Sequence, residues 1–469
     1  MSQLSTAIPE ASWGQLLSGR NAALLVALTG GVVLHAINIF LATTMLPTVV
    51  ADIGGLSLYA WNVTLFEVAS IIGAVVSASI RQRSGVLVAY LLAGGLMMLG
   101  SALAAIAPHI GVLLLGKFVQ GLGGGVLLAL GYAVVPLVFA EALWPRALAV
   151  ISGMWGIATL FGPALGGVFA EWGLWRLAFA VMVPLGVCYL LFVWRVLPAV
   201  EEPGVPLAVP YPQLVVLTLA VLAISVGSTQ PELWLNVLGL VVTGLLIVWL
   251  FWLEKHRSAR LLPSAALQWN SGLFAVFSIM TLLLVALSSE LFVPYYLQHL
   301  HGLSPLLAGY ITALSAVGWS FSELLSARLG ATGVRRIVLV APLMVLLGLI
   351  GLARWLPESG MGSEQVWLSA LALLLMGAGI GSCWPHLTTL VFKFTADAEQ
   401  GLAGSAMTTV MMFASALGAA LAGMLVNQRG FSQSQELLVI SDSAVWLFVV
   451  FALAPLLAVF SSRRLARQL

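Results

Sequence analysis

The chain has 469 residues, 61% of them hydrophobic and only 8% charged, with a formal net charge of +2. So few charges cannot cover a water-soluble core of that size, whereas its repeated apolar runs of about 20 residues match a hydrocarbon layer of about 30 Å. The runs are continuous, not alternating, which specifies membrane helices and excludes a barrel; no basic patch suggests nucleic acid.

Fourteen spans are predicted, at roughly 22–48, 58–80, 85–107, 110–137, 146–170, 175–197, 212–230, 233–253, 271–295, 305–328, 335–356, 364–391, 401–425 and 443–462. The first twenty residues are polar, include Pro9 and Glu10, and lack an apolar core before Ala22, so they read as a tail and not a cleaved signal. With the N-terminus inside, 15 of the 19 lysines and arginines fall on inner loops and tails. Arg176, Arg354 and Arg429 fall outside and Lys117 within a span. The bias predicts cytoplasmic termini.

Each ionisable side chain inside a span costs about 2.5–3.5 kcal/mol on insertion scales, so each needs a reason. In the first span His35 and Asn38 lie one helical turn apart near the middle, a substrate-contacting face or an interhelical hydrogen bond. Trp61 opens the second span and Glu67 lies about nine residues into it from the outside; Arg81 and Arg83 follow in the inner loop. Lys117 lies about seven residues into the fourth span, also from the outside, followed by Gln120. At about 1.5 Å per residue Glu67 and Lys117 agree in depth within one turn, so they can pair. Such a pair either locks the bundle or lets Glu67 alternate between a proton and Lys117, or a substrate cation.

In the fifth span Ala158, Gly162, Gly166 and Ala170 recur every four residues, a smooth stripe that admits another helix to backbone contact. Pro163 within it removes an amide donor and permits a bend. Gly156, Gly167 and Trp155 belong to the same stretch. Glu290 stands toward the outer end of the ninth span beside Ser288, Ser289 and Tyr295: a second coupling carboxylate, or one open to interfacial water. Trp319 and Glu323 lie in the tenth span, Glu323 close to Arg328 and read as a gate or loop salt bridge. Trp384 and His386 flank Pro385 in the twelfth. With Trp61 and Trp155, the tryptophans 319 and 384 are the cavity candidates among residues otherwise expected to anchor or pack.

The pattern repeats. Gly121–Gly125 with Pro136 is echoed by Gly377–Gly381 with Pro385, the fifth span by Gly401–Gly423, and Ser77-Ala78 by Ser326-Ala327, each eight spans later. Two six-helix bundles separated by an inserted pair explain that offset. The boundaries expected are a cytoplasmic N-terminal tail 1–21, a bundle 22–198, a linker and inserted pair 199–260, a bundle 261–462 and a basic tail 463–469. The inserted pair carries no mid-span charge and is expected to be a peripheral hairpin. Cys188 and Cys383 lie in separate apolar runs and read as buried small hydrophobes. There is no zinc spacing, P-loop or GxSxG elbow, so no metal, cofactor or ATP-driven step is expected. Ser288, Ser289 and Glu290 are adjacent and do not converge, so no enzyme is expected either.

Several motifs carry a family resemblance. They are Asn38–Gly54, Trp61 with Thr64, Arg81-Gln-Arg83-Ser-Gly85, Gly116-Lys-Phe-Val-Gln-Gly121, the stretch Gly156 through Gly167 with Trp175-Arg176 and Phe179, and Pro294–Gln298 through Gly309. In this order they resemble the major facilitator superfamily, particularly its fourteen-helix drug:proton antiporter branch. Two positions depart from that branch: Asn38 stands where it usually has Asp, and Lys117 where it usually has Arg. The resemblance implies an all-α membrane fold that functions as a monomer. It implies proton-coupled export of small organic or drug-like molecules across a bacterial inner membrane by alternating access. The glycine stripe, Arg81 and Arg83 would serve in gating and packing. An uptake permease, or an exporter of a neutral or acidic metabolite, is the alternative.

Overall fold

The computed structural model describes residues 12–198, 208–230, 232–358 and 363–469. Most of the N-terminal tail and the first part of the expected linker, 199–207, lie outside them. The described residues are helical, with no strand among them. In the first half come α1 (Trp13–Leu16), α2 (Gly19–Ile53), α3 (Trp61–Ala105), α4 (Ile110–Ala133), α5 (Val135–Val138), α6 (Trp144–Glu171) and α7 (Trp175–Val196). Then follow α8 (Tyr211–Ser228) and α9 (Leu233–His256). The second half contains α10 (Gly272–Leu287), α11 (Val293–His301), α12 (Pro305–Ser326), α13 (Ala331–Trp355), α14 (Ser363–Phe394), α15 (Gln400–Gln428), α16 (Leu437–Phe451) and α17 (Leu453–Ala466).

Twelve stretches of the described residues are long and apolar enough to cross a membrane, against fourteen spans expected. Two features account for the difference. The second and third expected spans form one 45-residue helix, α3, broken only at Gly85, whose φ of 81° and ψ of 165° are non-helical and suit a residue without Cβ. The second feature is α12, which carries Gly309, Tyr310, Ser315, Gly318, Ser320, Ser322 and Glu323 and is too polar to be counted.

The helices share two ends. At the terminal end Trp13 lies beneath the Arg146 guanidinium, Gly272 meets Phe394, and Glu399 accepts the Ser264 amide at 2.9 Å. At the far end Asp52 binds Arg176 at 2.6 Å and Trp175 Nε1 at 3.0 Å, while Arg176 also donates to the Ala107 carbonyl at 3.1 Å. One apolar core runs through α10–α17 and takes in Leu46, Val50, Tyr59 and Ala60 from the first half. Another runs through α1–α7 and takes in Leu214, Leu253 and Leu261.

The internal repeat is a repeat of packing. A Cβ on Gly121 or Gly125 of α4 would overlap the carbonyls of Phe66 or Ser70 on α3; a Cβ on Gly377 or Gly381 of α14 would overlap those of Ser315 or Trp319 on α12. In both halves glycines one turn apart seat a helix on carbonyls one turn apart, the close approach that small residues permit where lipid offers no hydrophobic drive.

The inserted pair is not simply peripheral. Helix α9 does turn a row of large apolar residues outward, Leu245, Val248 and Trp252 among them. Helix α8 instead fills the seam between α3 and α15, where Val221 packs with Val68 and Ala416. At the far end Trp61 Nε1 donates to the Ser225 carbonyl at 3.2 Å. Asn427 Nδ2 donates both to Ser57 O (2.8 Å) and to Ser228 O (3.1 Å), so one amide joins first half, inserted pair and second half. An apolar helix with two neighbours buries more than one edge, and its unmarked composition did not reveal which. Of the cysteines, Cys383 is buried as expected, but Cys188 is exposed.

Candidate functional site

Helices α2, α3, α4 and α6 bring together a buried polar group in the first half. Lys117 of α4, 1% exposed, hydrogen-bonds the Asn38 Oδ1 of α2. Its ammonium also stands 4.5 Å from the centroid of the Phe66 ring, a cation–π contact. Glu67 is buried too, yet Lys117 and Glu67 form no ion pair within 4.0 Å. The expected partners are therefore near each other but not in direct contact. The Phe66 ring takes the place nearest the ammonium, and Glu67, the next residue on α3, stays within electrostatic range of Lys117 without touching it. The two departures from the family pattern, Asn38 and Lys117, meet each other.

On the same helices several polar atoms are buried without a protein partner, Asn38 Nδ2, His35 Nδ1 and Gln120 Oε1. Gln120 turns its amide nitrogen to Ser101 Oγ at 2.8 Å, tying α4 to the second part of α3. The His35 ring packs 5.2 Å from Phe66 and edge-on to Trp155 at 6.1 Å. His35 and Trp155 thus touch, and Phe66 joins them to Lys117 and Asn38, whereas Gln120 turns to Ser101. Trp61 is not among them: its indole is bound to α8 at the far end.

The second half contributes two separate carboxylates. Glu290, in the short turn between α10 and α11, accepts Ser315 Oγ at 2.6 Å and is partly exposed. Glu323 accepts Trp319 Nε1 at 3.1 Å, one turn away on α12. It makes no ion pair with Arg328, so the expected salt bridge is replaced by an indole donor. Trp319 leans on Trp384 with centroids 4.8 Å apart, and His386 binds the Ser326 carbonyl at 3.1 Å, holding α14 to the end of α12. Tyr132 of α4, which the sequence reading passed over, reaches Ser152 and Trp155 and lies close enough to Glu323 to interact electrostatically. Phe66, Ser315, Tyr132 and Asn427 belonged to no motif; their roles come from what stands opposite.

The glycine stripe of α6 lies where the halves meet. Gly162 faces Phe40, and a Cβ on Gly166 would sit 2.6 Å from the Leu41 carbonyl of α2. Gly167 faces Leu306 of α12, and a Cβ on Gly309 of α12 would stand 3.3 Å from Pro163. Gly156 has open space instead, as do Gly153, Gly401 and Gly404 toward the terminal end. Close packing between the halves is therefore concentrated toward the far end. Arg81 is partly buried and Arg83 exposed, both just before the Gly85 break at the terminal end.

This organisation agrees with the family comparison. The Major Facilitator Superfamily model matches residues 28–292, 212–419 and 279–467. The chain belongs to the major facilitator superfamily. A probable multidrug-efflux transporter of Mycobacterium tuberculosis is 38% identical over 438 residues, 90% of this chain and 91% of that one. A tetracenomycin C resistance and export protein of Streptomyces glaucescens is 25% identical, over 88% of this chain and 77% of that one. Among solved structures, a peptide transporter of the POT family superposes with a TM-score of 0.69 at 13% identity, over 98% of this chain and 97% of that one. The human organic anion transporter MFSD10 gives 0.63 at 16%, over 95% and 100%. Both structural likenesses concern the fold. This major facilitator protein is a multi-pass membrane transporter whose buried polar groups lie on α2, α3, α4 and α6 in one half and on α12, α14 and the α10–α11 turn in the other.

Proposed function

We propose that the chain is a proton-coupled exporter, an antiporter of small organic or drug-like molecules across a bacterial inner membrane. The observation that carries this reading is the placement of three ionisable groups within the helices, Glu67 and Lys117 buried and Glu290 partly exposed, in a chain whose halves pack closely toward one end and leave glycines in open space toward the other. Such groups inside a membrane mark substrate or ion pathways. The efflux and export names of the relatives support the direction of transport. Residues 22–198 and 261–462 act as two rocking bundles, with 199–260 as linker and inserted pair, in a monomer. A proton on Glu67 or Glu290 favours one state and substrate the other, since a ligand shifts such an equilibrium only through differential affinity.

In this reading the terminal end is cytoplasmic. The membrane is crossed fourteen times, because α3 crosses twice about Gly85 and α12 crosses despite its polarity. Reporter fusions after Arg83, Arg260 and the C-terminus should all give a cytoplasmic signal. An external signal at Arg83 would make α3 a single crossing, and one at the C-terminus would remove a crossing further on.

The functional test is dye accumulation in proteoliposomes with an imposed pH gradient. Wild-type protein should concentrate the dye and dissipate the gradient. Glu67→Gln should abolish uphill transport while leaving exchange of dye down its own gradient. If Glu67→Gln still drives accumulation and Glu290→Gln does not, the coupling carboxylate is Glu290. Equal accumulation with and without a gradient would overturn proton coupling.

A further inference from the structure

We propose that the outward face of α9 is a docking site for one anionic phospholipid, with its phosphodiester on Lys255 and Arg257 and an acyl chain along the apolar row that leads to them. The inference depends on α9 crossing the membrane, and not on the direction of transport or on proton coupling.

Helix α9 has two unlike faces. One is committed to α8: Thr243 Oγ1 donates to the Ala220 carbonyl at 2.8 Å, and a Cβ on Gly239 would stand 2.9 Å from the Ala223 carbonyl. The other carries Leu238, Val241, Leu245, Val248 and Trp252, all exposed, at alternating steps of three and four residues that fall on one side of a helix. The next step of three reaches Lys255, which is also exposed. From Leu245 to Lys255 the helix rises about 15 Å, half the hydrocarbon thickness of about 30 Å. The row therefore has the length of one leaflet's acyl chain and ends in an indole and then an ammonium.

Charge selects the headgroup. Glu254, next to Lys255, is turned inward and fully buried, where it accepts the Leu261 amide at 3.0 Å and the Leu262 amide at 2.8 Å. Among the described residues no carboxylate oxygen lies within 4.0 Å of Lys255 or Arg257, whereas Arg260 stands 3.7 Å from Glu399. The helix end thus presents two uncompensated cations. Trp252 is held in place by His256, whose ring stacks on it with centroids 4.6 Å apart and whose Nδ1 donates to the Trp252 carbonyl at 2.7 Å. Indoles so placed sit at headgroup depth. The Arg257 amide donates to the Leu253 carbonyl at 2.9 Å, so two carbonyls that would repel a phosphate at this helix end are already occupied.

A second copy of the chain fits this face less well. Membrane helices pair through small residues that let backbones approach, and the row offers leucine, valine and tryptophan. The segment after α9 leads directly to the second half: Arg260 Nε donates to the Arg257 carbonyl at 3.2 Å, and the Ser264 amide donates to Glu399 at 2.9 Å. A lipid held at Arg257 therefore steadies the junction between the inserted pair and the second half.

The test titrates the full chain in detergent with phosphatidylglycerol or with phosphatidylcholine of the same acyl chains, and counts bound lipid by native mass spectrometry. For the first lipid bound, wild type should prefer phosphatidylglycerol by about 30-fold, the ratio that two basic residues supply at an anionic surface. Lys255→Gln combined with Arg257→Gln should bring the two lipids to nearly equal affinity, whereas Lys255→Arg with Arg257→Lys should keep the preference. Arg335→Gln with Arg336→Gln, which removes two exposed arginines from the start of α13, should leave it unchanged. Photoactivatable phosphatidylglycerol should label α9 between Leu245 and Lys255, and glycerol phosphate, which has the headgroup chemistry without acyl chains, should not displace it. Any one of the following would overturn the site: no preference in wild type, a preference that survives without Lys255 and Arg257, an equal loss in the α13 variant, labelling only outside α9, or displacement by glycerol phosphate. So would a Val248→Cys variant that cross-links to a second copy in native membranes.

Discussion

Replacing Gly166 with leucine is expected to abolish transport while the protein still inserts in the membrane. The first added carbon would already stand 2.6 Å from the Leu41 carbonyl and 3.2 Å from both Leu41 Cα and Thr44 Cβ. Two of those three atoms are backbone, which no rotamer change can move. Forcing extra carbon into such a contact costs about 1–3 kcal/mol where the structure can shift at all. Here the shift would separate α6 from α2 and carry Gly167 away from Leu306, one of the contacts by which α6 meets α12. Any rocking of the halves about this region would lose its bearing surface. Gly156→Ala is the matched control, since a Cβ there meets nothing within 4 Å. Dye uptake into everted vesicles, normalised to inserted protein, should fall to background for Gly166→Leu and remain near wild type for Gly156→Ala. Normal uptake with Gly166→Leu would show that the α2–α6 contact is not kept during transport.

The second large effect is expected at Asn38. Its side-chain oxygen is the hydrogen-bond acceptor of the buried Lys117 ammonium, with the Phe66 face as the other contact. A hydrogen bond to a charged group contributes about 1.5–3 kcal/mol, and leaving the charge buried without it adds desolvation cost. Asn38→Leu should therefore destabilise the protein by about 3 kcal/mol or more. Lys117→Met should cost less, because it removes the charge along with its need for a partner. The double replacement should be more stable than Asn38→Leu alone. Asn38→Asp should create an ion pair with Lys117 and keep the protein folded. The measurement is a double-mutant cycle by denaturant unfolding in detergent. Additive losses would mean that the two residues do not meet in solution. A cycle between Glu67 and Lys117 should give a smaller coupling, because no ion pair joins them within 4.0 Å.

Several features of this architecture could be read from composition and spacing. Apolar runs must become helices in a membrane because the lipid offers no partner to a free backbone amide or carbonyl. The four-residue spacing of Gly162 and Gly166 fixes a face, and only a helix backbone can approach so bare a surface; α2 proved to be that helix. The glycine runs at 121–125 and 377–381 announced a duplicated unit, and both copies seat on carbonyls one turn apart. Spacing also put Glu67 and Lys117 at similar depth, and the two lie within electrostatic range of each other.

Depth along a helix does not fix rotation about it, and rotation decided the partners. A step of one residue turns a side chain by about 100°, so Phe66 and not Glu67 lies beneath Lys117, and Asn38 takes the hydrogen bond. Glu323 likewise met an indole on its own helix in place of the arginine five residues on. Helix α8 looked peripheral because lipid and protein neighbours ask for the same apolar residues, so composition cannot separate a lipid-facing helix from one set between α3 and α15. The sequence by itself determined that there are membrane helices, which of them could touch closely, and which buried charges required partners. Only the packed structure decided which atoms became those partners, because hydrogen bonds and ion pairs depend on the mutual rotation and tilt of helices distant in the chain.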